Sequence, residues 1–143
     1  MIRVKRVYET PSPADGYRVL VDRLWPRGLT KQAAALDAWL RDLAPSDDLR
    51  RWVHHAPAPW PQFVKRYRGE LRSSRAQELM EELARRAATG AVTLLFAARD
   101  RDRNNAVALR DAVMRGLGSK TRRKTTAPSP PGRARRRTPA SGR

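Results

Sequence analysis

The 143-residue chain reads as an α/β protein: a small layered sheet of about three strands with a parallel central pair, packed by helices in the order β-β-α-α-α-α-β-α. Three observations predict this. Two short apolar runs, Val19-Leu20-Val21 and Val92-Thr93-Leu94-Leu95-Phe96, have the length and continuity of strands covered on both faces. The long stretch between them is dominated by helical spacing, which suits a crossover between parallel strands. A weaker β-branched pattern, Ile2 to Tyr8, precedes both runs and suits an outer strand.

The elements follow in order. "ETPSPADG" is a turn-rich connection between the first two strands. After the second strand, Leu36, Trp39, Leu40 and Leu43 fall at i, i+3, i+4 and i+7, the stripe of a helix that must stop near Ala44 because Pro45 disfavours helix in the residue before it. Ser46 is a good N-cap with Asp47 and Asp48 in the first turn, so the next helix presents Leu49, Trp52 and Val53. "HHAPAP" breaks it. Pro61 suits a first helical turn, and Phe63, Tyr67 and Leu71 recur at i, i+4, i+8. Ser74 and Gln77 read as a capping box for a helix that buries Ala76, Leu79, Met80, Leu83 and Ala87 and ends in a left-handed cap at Gly90. After the last strand, "RDRNN" turns the chain, and Asn104 or Asn105 caps a final helix that buries Leu109, Val113 and Leu117.

Charge divides the chain. The net charge is +17, but nine of the 31 lysines and arginines and none of the 14 acids follow Gly118. Residues 1–118 therefore form a single, moderately basic α/β domain. Residues 119–143 are rich in Pro, Arg, Ser and Thr and have too little apolar surface to offset their ordering entropy, so they read as a disordered basic tail. Lys120, Arg122, Arg123, Lys124, Arg135, Arg136 and Arg137 in this tail suit nonspecific contact with nucleic-acid phosphates. No aromatic residue is interleaved to stack on bases. Without cysteines, thiolate catalysis, disulfides and cysteine-ligated zinc are excluded. No apolar run approaches the roughly 20 residues of a membrane span, and the N-terminus lacks a signal-peptide core, so a cytoplasmic protein is expected.

Parallel strands end on one side of a sheet, and ligands of open α/β sheets bind outside those carboxyl ends. The second strand delivers Asp22 and Arg23 there, with Trp25 and Arg27 just beyond; the last strand delivers Arg99 and Asp100. With the amides of the final helix near Asn104 and Asn105, these residues suit a small ligand bearing a phosphate or carboxylate. Asp22 is the candidate base and His55 the candidate proton carrier. The structural alternative is that Asp22 pairs with Arg99 and Arg23 with Asp100, with Trp25 a core lid. Asp22, Asp100 and His55 have no recognisable metal-ligand spacing, so neither metal nor cofactor is expected. A glycine-rich phosphate loop, a dinucleotide fingerprint and a serine nucleophile elbow are all absent.

Four segments carry a family resemblance: "KRVYETPSPADGYRVLVDRLWPRGLTK", "WLRDLAPSDDLRRWVHHAP", the W-x-x-F-x-x-R-Y-x-x-E-L pattern from Trp60 to Leu71, and "VTLLFAARDRDRNNAVALRD". Together, over residues 2–117, they resemble the YeaO-like proteins, a bacterial domain of unknown function. The resemblance implies a small cytoplasmic α/β protein without an agreed activity. The family typically has His-Asp-Pro where this chain has His55-Ala56-Pro57, and a histidine where it has Arg103. The stretch Asp22 to Gly28 matches fully. Three functions stay open on this reading: binding of a small anionic ligand at the strand ends, nucleic-acid association through the tail, and partner binding without chemistry.

Overall fold

The computed structural model describes the backbone of residues 1–55 and 59–126, with side chains through 53 and over 59–116. Its sheet has four strands, all parallel: β1 (Ile2–Arg6), β2 (Tyr17–Leu20), β3 (Ala38–Trp39) and β4 (Val92–Phe96), in the spatial order β1-β4-β2-β3. β4 is central and buried at every position, as its apolar run, interrupted by Thr93 alone, predicts. It pairs with β1 from Ile2↔Val92 to Arg6↔Phe96 and with β2 from Tyr17↔Val92 to Leu20↔Leu95. The parallel central pair expected from the sequence is thus β2 and β4.

Alternation of side chains splits the core into two layers. Val19, Val92, Leu94 and Phe96 face α2 (Asp47–His55), α3 (Trp60–Glu70), α4 (Ser74–Thr89) and α5 (Asn105–Thr126), which bury Leu49, Phe63, Tyr67, Leu83 and Leu109 against them. Leu20, Leu95 and Val7 face the other way, onto Trp25, Leu29, Leu36 and Trp39. That second face is covered by α1 (Lys31–Ala34) and loops.

The helix expected through Leu36, Trp39, Leu40 and Leu43 does not form. Ala38–Trp39 is instead a short edge strand, followed by a 3-10 turn, Arg41–Leu43. The reason lies in where the four side chains go. Leu36 and Trp39 pack on the loop-covered layer, whereas Leu40 and Leu43 join the helical layer. Helical spacing arose here from residues divided between two cores, not from one buried stripe.

Helix starts follow local chemistry. The Ser46 hydroxyl accepts the Leu49 N–H at 3.1 Å, and the Asn104 side chain accepts that of Val107 at 3.0 Å. The cap of α4 is Ser73 rather than Ser74: its hydroxyl takes the Ala76 N–H, and Gln77 donates to the Leu71 carbonyl instead of completing a capping box. Gly90 is extended (φ −178°), not left-handed. The Met1 nitrogen donates to the Ala87 and Gly90 carbonyls at the helix end, so no left-handed turn is needed to satisfy them. α5 continues to Thr126, past the boundary expected at Gly118. Residues 127–143, which hold Arg135, Arg136 and Arg137, lie outside the described residues.

At the amino end of the sheet sits a buried charge network. The Asp15 carboxylate accepts Arg18 Nη1 at 2.5 Å, Lys5 Nζ at 3.0 Å and the Ser12 N–H at 3.0 Å. Arg18 also donates to the Ala34 and Ala35 carbonyls at 2.7 and 3.0 Å. Burial alone would raise the Asp15 pKa, but the hydrogen bonds and charges of Lys5, Ser12 and Arg18 outweigh it and hold the carboxyl below its ordinary value.

Candidate functional site

Because all four strands run the same way, their carboxyl ends share one rim. β2 leaves the sheet through Val21, whose N–H reaches the Leu95 carbonyl at 3.1 Å. Asp22 then ties several elements together. Its carbonyl accepts Trp39 Nε1 at 2.7 Å, and its carboxylate accepts the Ala97 N–H at 2.9 Å and Asn105 Nδ2 at 3.0 Å. The same Asn105 amide donates to the Val21 carbonyl at 2.9 Å. Burial pushes the Asp22 carboxyl above its ordinary range, opposed by the Asn105 and Ala97 hydrogen bonds.

The segment after Asp22 folds back over the rim. Arg23 Nε donates to the Pro45 carbonyl at 3.1 Å and lies 3.9 Å from Asp47. Trp25 donates to the Leu29 carbonyl at 2.6 Å and packs edge-on against Trp39 with centroids 5.4 Å apart. Gly28 supplies the positive φ (76°) of this turn. Tyr8, beyond β1, pins the turn by donating from its hydroxyl to the Arg27 carbonyl at 2.8 Å. On the β4 side, Asp100 Oδ1 accepts the Asp102 and Arg103 N–H groups at 2.9 and 3.0 Å. Those hydrogen bonds, first that of Arg103, hold its exposed carboxyl below the usual range. The loop so closed brings Asn104 to the start of α5, where its Nδ2 also bonds the Asp100 carbonyl at 2.9 Å.

These parts surround a cavity of about 610 Å³, within the general range of roughly 300–1,000 Å³ for small-molecule sites. Asp22, Arg23, Trp25, Arg27, Asp100, Asn104 and Asn105 all line it. Arg99 does not, and is exposed. The ion pairs Asp22–Arg99 and Arg23–Asp100 are not formed, since Asp22 and Asp100 take backbone N–H groups and an amide while Arg23 reaches across to Pro45. Trp25 serves both as cover for the second core layer and as cavity wall.

The helical insertion completes the wall in a way that strand-end reasoning misses. α2 supplies Arg50 and Val53, α3 supplies Trp60 and Phe63, and the β4–α5 loop supplies Arg103. Trp60 and Phe63 stack with centroids 5.4 Å apart. Arg50 Nη2 lies 3.4 Å from Asp47, and its buried Nε has no hydrogen-bond partner among the described residues. The only signal for Arg50 in the sequence is its place in the first turns after the Ser46 cap. His55 ends α2, but its side chain lies outside the described residues. Among the described residues no group of three or more His, Cys, Asp or Glu side chains is placed to hold a metal ion. No helix of the described residues is long and apolar enough to cross a membrane.

The hydroxyl of Tyr67, fully buried, donates to the Leu43 carbonyl. Burial pushes its pKa far up, reinforced by the negative charges of Asp22 and Glu70. It is a neutral structural anchor beneath the site, tying α3 to the turn after β3.

Comparison with known proteins places the chain among relatives without an assigned activity. The uncharacterized protein YeaO of Escherichia coli is 39% identical over 110 residues, covering 77% of this chain and 94% of that protein. The uncharacterized proteins Rv3073c of Mycobacterium tuberculosis and Mb3100c of Mycobacterium bovis are each 45% identical over 92 residues, 64% of this chain and 78% of theirs. No solved structure matches the chain. A family model described as the inactive DUF488-N3 subclade matches residues 1–132, running past Gly118 into the basic segment. The chain belongs to this YeaO-like family of unknown function.

Proposed function

We propose that this protein, acting in the cytoplasm, binds a small organic anion in the cavity at the carboxyl ends of β2 and β4. One observation carries the reading: Arg23, Arg27, Arg50 and Arg103 line a cavity whose only lining carboxylates among the described residues are Asp22 and Asp100. Arg27 and Arg103 make no side-chain ion pair or hydrogen bond among the described residues, and Arg23 and Arg50 share the single, half-exposed Asp47. Such an excess of guanidinium groups suits a carboxylate or phosphate, which their planar fork can grip with paired hydrogen bonds. Trp25, Trp60, Phe63 and Val53 supply apolar wall, so the ligand carries a flat or apolar body as well as the anionic group. Asn104 and Asn105 bound the cavity where α5 begins, whose first N–H groups favour negative charge.

Asp22 and His55 are the acid–base candidates. The description of the family as inactive favours binding without turnover. Calorimetric titration with benzoate, its neutral counterpart benzamide, and inorganic phosphate tests the reading. Benzoate should bind most tightly, and Arg23→Ala or Arg27→Ala should each weaken it by about tenfold, the loss of one charge-assisted contact. Equal affinity for benzoate and benzamide, or indifference to both substitutions, would contradict it.

The basic tail supports a second, separable activity. Lys120, Arg122, Arg123 and Lys124 fall in the last turns of α5, and their charge suits phosphate backbones. Binding to duplex DNA that weakens steeply with salt and disappears on deletion of residues 119–143 is expected; salt-insensitive binding would exclude it.

A further inference from the structure

Asp22 presents a problem that the arginines do not solve. The protein contains two carboxylates withdrawn from solvent beside the sheet, and it treats them differently. Asp15, at the amino end, is neutralised by Lys5 and Arg18. Asp22, at the carboxyl end, has no Lys or Arg within ion-pair distance among the described residues; its hydrogen-bond partners are the neutral Asn105 amide and the Ala97 N–H. Taking a carboxylate out of water without a counter-charge is costly. Four arginines stand on the walls of the same cavity, yet none closes the gap.

We infer that the occupant of this cavity is dipolar, with its anionic end against the arginines and an amidinium-, ammonium- or N–H-bearing end on the Asp22 carboxylate. This rests on the anion-binding reading above and narrows its ligand class. An ionised carboxylate has about four acceptor positions, and the protein fills two of them. The remainder belong to a group that lines the cavity. The carboxylate is also held still. Asn105 is anchored by its second bond to the Val21 carbonyl, and the Asp22 main chain is pinned by Trp39, so a ligand donor meets an acceptor already oriented for it. Burial that disfavours the charged form of Asp22 is relieved when a cationic group arrives. A structural role accounts for the two donors, the Ala97 N–H and Asn105 Nδ2, but not for the acceptor positions left open toward the cavity.

The experiment uses the full chain and two probes, benzoate and 4-amidinobenzoate, which adds an amidinium opposite the carboxylate. The wild-type protein should bind 4-amidinobenzoate about tenfold more tightly than benzoate, the gain of one charge-assisted contact. In Asp22→Asn that preference should vanish while benzoate binds more tightly, because a like charge has gone. Asn105→Ala, which keeps the charge but frees its orientation, should retain only part of the preference. Equal binding of the two probes by the wild type, or a preference that survives Asp22→Asn, overturns the inference and leaves the anion site standing. Failure of both probes to bind overturns the inference together with the anion reading.

Discussion

Replacing Arg18 by methionine removes a buried cation while keeping most of its volume, and the structure gives the cost. Both partners of the Arg18–Asp15 pair are nearly inaccessible, with side chains 6% and 4% exposed. The substitution removes one of three donors to the Asp15 carboxylate, which keeps Lys5 and the Ser12 N–H, and removes the donor to the Ala34 and Ala35 carbonyls. Breaking one side of such a pair costs about 3–5 kcal/mol, because the other charge stays buried. The retained Lys5 contact to Asp15 argues for the lower half of that range. Against a total stability of roughly 5–15 kcal/mol, this predicts a large fall in the urea midpoint followed by far-UV circular dichroism. Asp15→Asn and Arg18→Met together should cost less than the sum of the two single substitutions, since both remove the same pair. The pH dependence has a definite sign. Asp15 is held below its ordinary value of 3.8, so the wild type keeps this contribution above that pH and loses it as pH falls through the lower, folded-state value. Arg18→Met should show a weaker acid-side loss. A destabilisation under about 1 kcal/mol, with additive effects in the double variant, would refute the claim that this network holds the amino end of the sheet.

Three further outcomes follow from single positions. Gly16 sits at φ +63°, and a Cβ there would lie 2.3 Å from the Ala91 carbonyl oxygen, so Gly16→Ala should cost more than about 3 kcal/mol by urea unfolding. Ala35 is left-handed at φ 48°, and Ala35→Gly should therefore raise stability by about 1 kcal/mol. Asp22 has the opposite pH sign from Asp15. Its carboxyl is raised above 3.8 by burial, so wild-type stability declines as pH rises from the unfolded through the folded value. Asp22→Asn should remove that decline, and parallel pH profiles of the two proteins would contradict it.

Much of the fold was legible because it is written in local chemistry. The largely apolar run of β4 marks a strand buried on both faces, and the Ser46 and Asn104 caps mark helix starts within a residue. β3 was hidden because Leu36, Trp39, Leu40 and Leu43 feed two different cores, which a single periodicity cannot express. The extended Gly90 was hidden for another reason: the carbonyls it was expected to cap are met from the opposite end of the chain, by Met1. For the cavity, sequence reasoning reached the strand-end residues because parallel strands must share a rim. It chose Arg99 and missed Arg50 because a helix inserted between β3 and β4 swings over that rim. The Asp22–Asn105 bond joins residues 83 positions apart, beyond the reach of any local pattern.

Anion binding in the cavity is tested most directly by the anomalous difference map from a crystal of the full chain soaked with 4-iodobenzoate. Iodine should lie in the cavity beside Trp25 and Trp60, with the carboxylate on the guanidinium groups that line it. Iodine bound only elsewhere on the surface, with this cavity empty, would contradict it.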